Sequence, residues 1–168
     1  DPMESFNRKV YAFNDSLDKA ILKPVAKGYV AVVPHLVRRG VKNVFNNLGM
    51  IVTTFNDALQ LKGTKVPVDF ARFTTNIFLG LGGLIDVATE LKIENRNEDF
   101  GQTMGYWGVA SGPYLVLPLF GPSSVRDAPG LAVDFVVSPY FYWNPDAQVR
   151  WGLFGLDVVN TRANLLEA

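Results

Sequence analysis

Residues 100–125, FGQTMGYWGVASGPYLVLPLFGPSSV, run without a charged side chain between Asp99 and Arg126. A stretch this long would suit a membrane-crossing helix, which needs about 20 apolar residues. Its composition forbids that helix. Gly101, Gly105, Gly108, Gly112 and Gly121, with Pro113, Pro118 and Pro122, cut it into short pieces. Proline removes a helical donor and crowds the preceding turn, while glycine loses extra entropy in a helix. Backbone that is apolar and irregular at once survives at membrane depth only where protein buries it or where it lines a cavity. The chain is therefore expected to face lipid or to enclose it.

The scarcity of charge points the same way. Charged residues make up 19% of the 168 positions, against roughly 25% in ordinary soluble domains. Part of the surface is thus expected to lie out of water. A single domain over residues 1–168 is the expectation for this length. Net charge is zero, yet residues 1–42 hold eight Lys/Arg against four acids. Such a basic face suits anionic headgroups, each nearby cation contributing about 1 kcal/mol, and suits a solvated helix face equally well. With no basic–aromatic stripe and a pI near 6.8, nucleic acid is not an expected partner. The absence of cysteine removes disulfides, thiolate nucleophiles and Cys-based metal sites. Asp1-Pro2 reads as the start of a mature or trimmed chain.

Periodicity predicts helices throughout. Asp1 as cap, Pro2 and Glu4 open the first, whose stripe of Phe6, Val10, Phe13, Leu17 and Ile21 ends before Pro24. Pro24 opens a second with Val25, Tyr29 and Val33, and Pro34 a third with Val37, Val41, Phe45 and Leu48. Residues 50–61 continue through Ile51, Phe55 and Leu59, and Pro67 begins another with Phe70, Phe73 and Ile77. Residues 77–88, IFLGLGGLIDVA, read as a helix apolar almost all round, hence buried in protein or lipid. Residues 129–143 carry one charge, Asp134, and Asn144-Pro145 start a last helix running to near Leu166. A short extended piece at 114–119 is the one strand candidate. The expected architecture is all-α, seven or eight short amphipathic helices cut by prolines. None has the ~18 apolar residues of a spanning helix, so the chain is expected to sit in one leaflet.

Candidate chemistry is thin. His35 is the only histidine and sits after Pro34, where a helix start explains it better than catalysis. Gly80-Leu81-Gly82-Gly83 lacks the third glycine of a dinucleotide loop and a preceding strand, so close helix packing is the better reading. Glu98-Asp99 suits a polar turn or helix cap more than an acid/base pair. Ser111 and Ser123 have no nucleophile-elbow setting, and Ser123 is expected to cap the helix after Pro122. Arg126-Asp127 is expected to pair internally or anchor the uncharged loop, with a phospholipid phosphate as the sharper option. Gly108-Val109-Ala110-Ser111-Gly112 is small at nearly every position and suits a hinge or, equally, a tight turn. No enzyme, no cofactor and no metal is expected.

Four segments then carry a resemblance: DPMESFNRKVYAFNDSLD at 1–18, NNLGMIVTTFNDALQ at 46–60, ARFTTNIFLGLGGLIDVA at 71–88 and EDFGQTMGYWGVASGPYLVLPLFGPSSVRD at 98–127, with TRANLL at 161–166. Together they resemble the VacJ/MlaA outer-membrane lipoproteins of Gram-negative bacteria over nearly the whole chain. The resemblance implies a ring of helices in the periplasmic leaflet of the outer membrane with an amphipathic central channel. It implies removal of mislocalised phospholipids from the outer leaflet and their delivery to a periplasmic carrier of an MCE-type ABC transport system. It also implies association with trimeric porins, and an N-terminal lipid anchor and acidic tail that this sequence does not hold. On that reading Tyr106, Trp107, Gly108, Val109, Ser111, Gly112 and Tyr114 form channel wall or gate, and Arg126 meets phosphate. Arg150 resembles a basic position near the channel and equally suits a snorkelling interfacial arginine. The alternatives are a porin-docking adaptor that conducts no lipid and, less favoured for want of a nucleophile, a lipid hydrolase.

Overall fold

A computed structural model describes residues 2–139 and 146–166. The elements in chain order are α1 (Glu4–Leu17), a π-helical turn (Asp18–Leu22), α2 (Lys23–Val32), α3 (His35–Leu59), α4 (Val66–Phe78), α5 (Val87–Glu90) and α6 (Phe100–Tyr106). A hairpin of β1 (Tyr114–Leu117) and β2 (Gly121–Ser124) follows, then α7 (Asp127–Val137) and α8 (Ala147–Leu166). The expected cap at Asp1 and the helix start at Asn144-Pro145 lie outside the described residues.

Pro24 does not end the first helix. The chain stays helical from Glu4 to Val32, because five residues ahead of the proline form a π turn in which Lys23 N–H bonds to Asp18 O. A proline cannot donate to the carbonyl four back and its ring crowds that turn; a wider turn gives the ring room. The real break is at Val33, held extended before Pro34, as the residue preceding a proline prefers. Beyond it α3 is one 25-residue helix, longer than the short pieces expected. Among the described residues no helix is long and apolar enough to cross a membrane.

Residues 77–88 are not one helix. α4 stops at Phe78, and Leu81, Gly82 and Gly83 all take positive φ (53°, 73° and 93°). The turn folds back on α4, with Gly82 N–H bonded to Ile77 O and Gly83 N–H to Asn76 O. Gly80 has no room for a Cβ against Ile85 O, and Gly83 abuts the Asn47 side chain. The glycines thus serve close packing, while Leu79 and Leu81 stand exposed. Residues 114–117 are extended as expected, but their partner strand was not expected. β1 pairs antiparallel with β2, Tyr114 opposite Ser124 and Leu117 opposite Gly121. Ser123 therefore lies in a strand and caps nothing; Ser124 Oγ accepts from Asp127 N–H at 3.1 Å instead.

The interior inverts the usual rule. Asn47, Thr53, Asn56, Asp57, Gln60, Asp69, Arg72, Asn76, Thr103 and Asn160 are buried, and among the described residues the largest fully buried side chain is Gln60. Phe6, Phe13, Phe55, Phe70 and Phe78 are exposed. A soluble domain buries the second set and exposes the first. The accessible surface, 10196 Å², also exceeds the about 8,200 Å² expected of a compact 18.6 kDa chain. Polar groups inside, hydrogen-bonded apart from the Asp69 carboxylate, Asn47 Oδ1 and Arg96 Nη1, with apolar groups outside, is an arrangement that suits a lipid surround.

Candidate functional site

α7 presents Ala128, Leu131, Ala132 and Phe135 at helical spacing to a cavity of about 660 Å³. Leu117, Pro118 and Phe120 of the hairpin close one side, and Trp151 and Phe154 of α8 the other. The aromatic wall is continuous. Phe154 lies 5.8 Å from Phe135 and 6.0 Å from Trp151, both edge-on, and 6.3 Å from Phe120. These centroid separations are those of favourable aromatic pairs.

A second cavity, about 270 Å³, adjoins it by sharing Phe120, Leu131 and Asp134. Its own lining is polar, with Asp99, Gln102, Ser123, Arg126 and Asp127. One end of the combined space is apolar and the other carries charge. Asp99 caps α6 by accepting from Gln102 N–H at 2.7 Å, so the cap reading of that position is the observed one. Arg126 Nε donates to Asp127 Oδ1 at 2.7 Å, and its Nη1 donates to Val109 O at 3.3 Å. The guanidinium holds the Asp127 carboxyl below the usual carboxylate range. α6 and α7 approach so closely here that a Cβ on Gly130 would sit 2.8 Å from Gly101 N, and one on Gly105 2.7 Å from Arg126 Nη1.

Asp134 stands where the two cavities meet and is tied from behind. Its carboxylate accepts from Phe100 N–H at 2.9 Å and from Asn56 Nδ2 at 2.9 Å. Burial pushes its pKa up despite those donors. Asn56 begins a relay through the polar interior. Thr103 Oγ1 donates to Asn56 Oδ1 at 2.8 Å, Gln60 Nε2 donates to Thr103 Oγ1 at 3.0 Å, and Gln60 Nε2 reaches Glu98 Oε2 at 3.0 Å. Glu98 accepts from Lys62 Nζ at 2.8 Å, and Arg96 grips Asp57 at 2.6 and 2.7 Å. The cavity floor is therefore fixed to α3 by a hydrogen-bonded network, in which the buried Arg96 Nη1 makes no hydrogen bond and lies 4.0 Å from Asp69.

Of the residues singled out from sequence, Arg126 lines the polar cavity. Tyr106 and Trp107 end α6, exposed, with Trp107 Nε1 donating to Leu59 O at 3.2 Å. Gly108 and Gly112 take φ of 89° and 69°, values that glycine adopts without strain. Val109 O receives Arg126, Ser111 O accepts from Arg126 N–H at 3.1 Å, and Tyr114 starts β1. Residues 106–114 thus flank Arg126 rather than the cavities described above. Arg150 lies in the first turn of α8. Phe135, Trp151 and Phe154 were not singled out from sequence, and Asp134 was noted only as the one charge in 129–143. The apolar set 128, 131, 132 and 135 beside that acid was the signal for Phe135 and Asp134.

The fold is helical, polar within and apolar without, and hollowed by a cavity with a greasy wall and a charged end. The chain belongs to the MlaA lipoprotein family, whose model matches residues 1–168. It is 38% identical over 174 residues to the intermembrane phospholipid transport system lipoprotein MlaA of Escherichia coli K12, covering 100% of this chain and 68% of that protein. The Haemophilus influenzae protein of the same name is 37% identical over 164 residues, 94% of this chain and 65% of that one. An uncharacterised Rickettsia typhi protein is 39% identical over 144 residues, 85% of this chain and 57% of its own length. The chain thus spans under two thirds of several relatives. A solved structure reported as the structural basis for maintenance of bacterial outer membrane lipid asymmetry matches 99% of this chain and 85% of that chain. Its TM-score is 0.82 at 35% identity.

Proposed function

We propose that the protein removes mislocalised phospholipids from the outer leaflet of the Gram-negative outer membrane and so maintains lipid asymmetry. In this reading it sits in the periplasmic leaflet beside trimeric porins, as a ring of helices around an amphipathic channel. It passes lipid to a periplasmic carrier serving an MCE-type ABC transporter. The transporter supplies the energy, and this chain performs no covalent chemistry.

The observation that carries the proposal is the pair of adjoining cavities that share Phe120, Leu131 and Asp134. A phospholipid has the same division. Its acyl chains gain about 0.8 kcal/mol for each buried CH₂, which the Phe135–Trp151–Phe154 wall supplies. Its phosphate is costly to bring into hydrocarbon, and the polar end supplies the Arg126 guanidinium, held by Asp127, with Gln102 and Ser123 as neutral partners. The positive-φ glycines Gly108 and Gly112 flank the segment bound to Arg126, so that segment can move without side-chain strain. The family and the names of its characterised members agree with a phospholipid cargo.

The test is complementation of a bacterium lacking its own family member, read as surface-exposed phospholipid. The wild-type chain, carrying the bacterium's own anchor, lowers it. Leu131→Trp, which narrows the junction of the two cavities, is expected to raise it toward the level of the deletion strain while the protein remains membrane-bound. A porin-docking adaptor would tolerate the narrowed passage, and that result overturns the proposal. Release of lysolipid or fatty acid from labelled phospholipid would make the protein a hydrolase instead.

A further inference from the structure

Between Asp18 and Asp57 the sequence has no acid, yet it holds Lys19, Lys23, Lys27, Arg38, Arg39 and Lys42. The structure gathers part of this charge into one place. His35, Arg39, Lys42 and Asn46 follow one another at helical spacing on α3 and, with Asn164 of α8, line an open groove of about 390 Å³. No acid lines it. Many other cations are paired with acids: Arg8 with Glu4, Lys19 with Asp15, Lys62 and Arg96 with Asp57 and Glu98, Arg72 with Asp86, Arg162 with Asp18.

The surroundings of the groove are apolar. Val32 is 82% exposed, Leu36 79% and Val37 52%, all at the elbow that Val33 and Pro34 make between α2 and α3. Leu36 is one residue from His35, a step of about 100° around the helix. A helix end with cations on one side and bare aliphatics on the next lies naturally at a membrane interface, aliphatics among acyl chains and cations among headgroups. The groove is remote from the cavities of the proposed lipid path. Phe154 and Asn164 are ten residues apart on α8, about 15 Å along the axis.

We infer that this groove is a second lipid site, which binds the phosphate of an anionic membrane lipid through Arg39, Lys42 and His35 while the Val32–Val37 elbow inserts beside it. Two cations and an imidazole match a charged phosphate, and Asn46 adds a neutral donor. Passage of lipid through the cavities plays no part in this inference, so either can fail alone.

The experiment is co-sedimentation of the full chain with vesicles of phosphatidylcholine and with vesicles containing about one third phosphatidylglycerol. The wild type is expected to bind the anionic vesicles about tenfold or more tightly, with the preference shrinking as salt rises. R39Q/K42Q is expected to lose that preference about tenfold and to bind phosphatidylcholine vesicles as before. R39K/K42R should keep it, and so should K9Q/K92Q, which removes the same charge elsewhere. All the substituted side chains are exposed, so folding is not at stake, and the melting temperature checks it. An unchanged preference in R39Q/K42Q, or an equal loss in K9Q/K92Q, overturns the site. Inorganic phosphate that displaces the protein from anionic vesicles more than sulfate of equal ionic strength would make the free ion the ligand and overturn the lipid assignment. A wild type indifferent to anionic lipid overturns it too and returns the groove to an acidic protein surface.

Discussion

The side-chain amide of Asn7 completes the edge of β1 as a third strand would. Its Oδ1 accepts from Val116 N–H at 2.8 Å and its Nδ2 donates to Tyr114 O at 3.0 Å. Two helical turns on, Asn14 repeats the arrangement with Leu119 N–H and Leu117 O, both at 2.9 Å. The hairpin that closes one side of the apolar cavity is therefore held to α1 by two carboxamides. Asn7→Leu leaves the buried Val116 N–H and the Tyr114 carbonyl unpaired, a cost of about 2–3 kcal/mol. Thermal unfolding should fall by about 5–10 °C for a chain of this size. Asn7→Asp keeps the acceptor and loses the donor, and should fall between the two.

The buried pair Asp57–Asp69 sets a pH dependence. Asp57 is gripped by Arg96 at 2.6 Å, whereas Arg96 comes no closer than 4.0 Å to Asp69. Burial, followed by the neighbouring Asp57 carboxylate, raises the Asp69 pKa from 3.8 to about 7. Between those values the folded state holds a proton that the unfolded chain has released, so stability falls as pH rises from about 4 to about 7 and then levels. Three units correspond to at most about 4 kcal/mol. Chemical denaturation at pH 5 and pH 8 should show the decline. Asp69→Asn should remove most of it and raise stability at pH 8, and a variant as pH-dependent as the wild type would refute the assignment.

Helix positions and family motifs were legible because periodicity and local spacing encode them. Pro67 does open the 66–78 helix, and Asp99 does cap the one at 100. The direction each helix faces was less legible. Ile51, Phe55 and Leu59 form the stripe a reader places inward, yet Thr53, Asn56, Asp57 and Gln60 form another, and these are the buried ones. A hydrophobic stripe marks the core only when water is the surrounding solvent. The hairpin was hidden for another reason: its outer edge is satisfied from residues 7 and 14, about a hundred positions away. The π turn at 18–22 was masked by Pro24, which reads locally as a stop.

Gly130 tests the closeness of α6 and α7. A Cβ there would meet Gly101 N at 2.8 Å, a backbone atom that cannot rotate away. Gly130→Ala should cost about 1–3 kcal/mol and depress the melting temperature by about 2–10 °C. Gly49 in α3 has open space around its Cα, so Gly49→Ala should stabilise by about 0.5–1 kcal/mol. Equal effects at the two positions would mean that the α6–α7 contact is looser than these distances imply.

Arg126 separates charge from position in the proposed lipid path. Arg126→Ala removes both the cation facing the polar cavity and the bond to Val109 O, and should raise surface-exposed phospholipid in complemented cells. It should also speed amide exchange around Val109, whose carbonyl loses the Nη1 donor, while the backbone bond from Arg126 N–H to Ser111 O remains. Arg126→Lys keeps the charge without the planar fork and should recover only part of the transport. Gly105→Ala leaves the arginine in place but puts a methyl 2.7 Å from Nη1, forcing the guanidinium to move. If Gly105→Ala raises surface phospholipid as Arg126→Lys does, the placement of the guanidinium matters and not its charge alone. If it stays at the wild-type level while Arg126→Ala fails, charge suffices and the contact with Val109 has no part in transport.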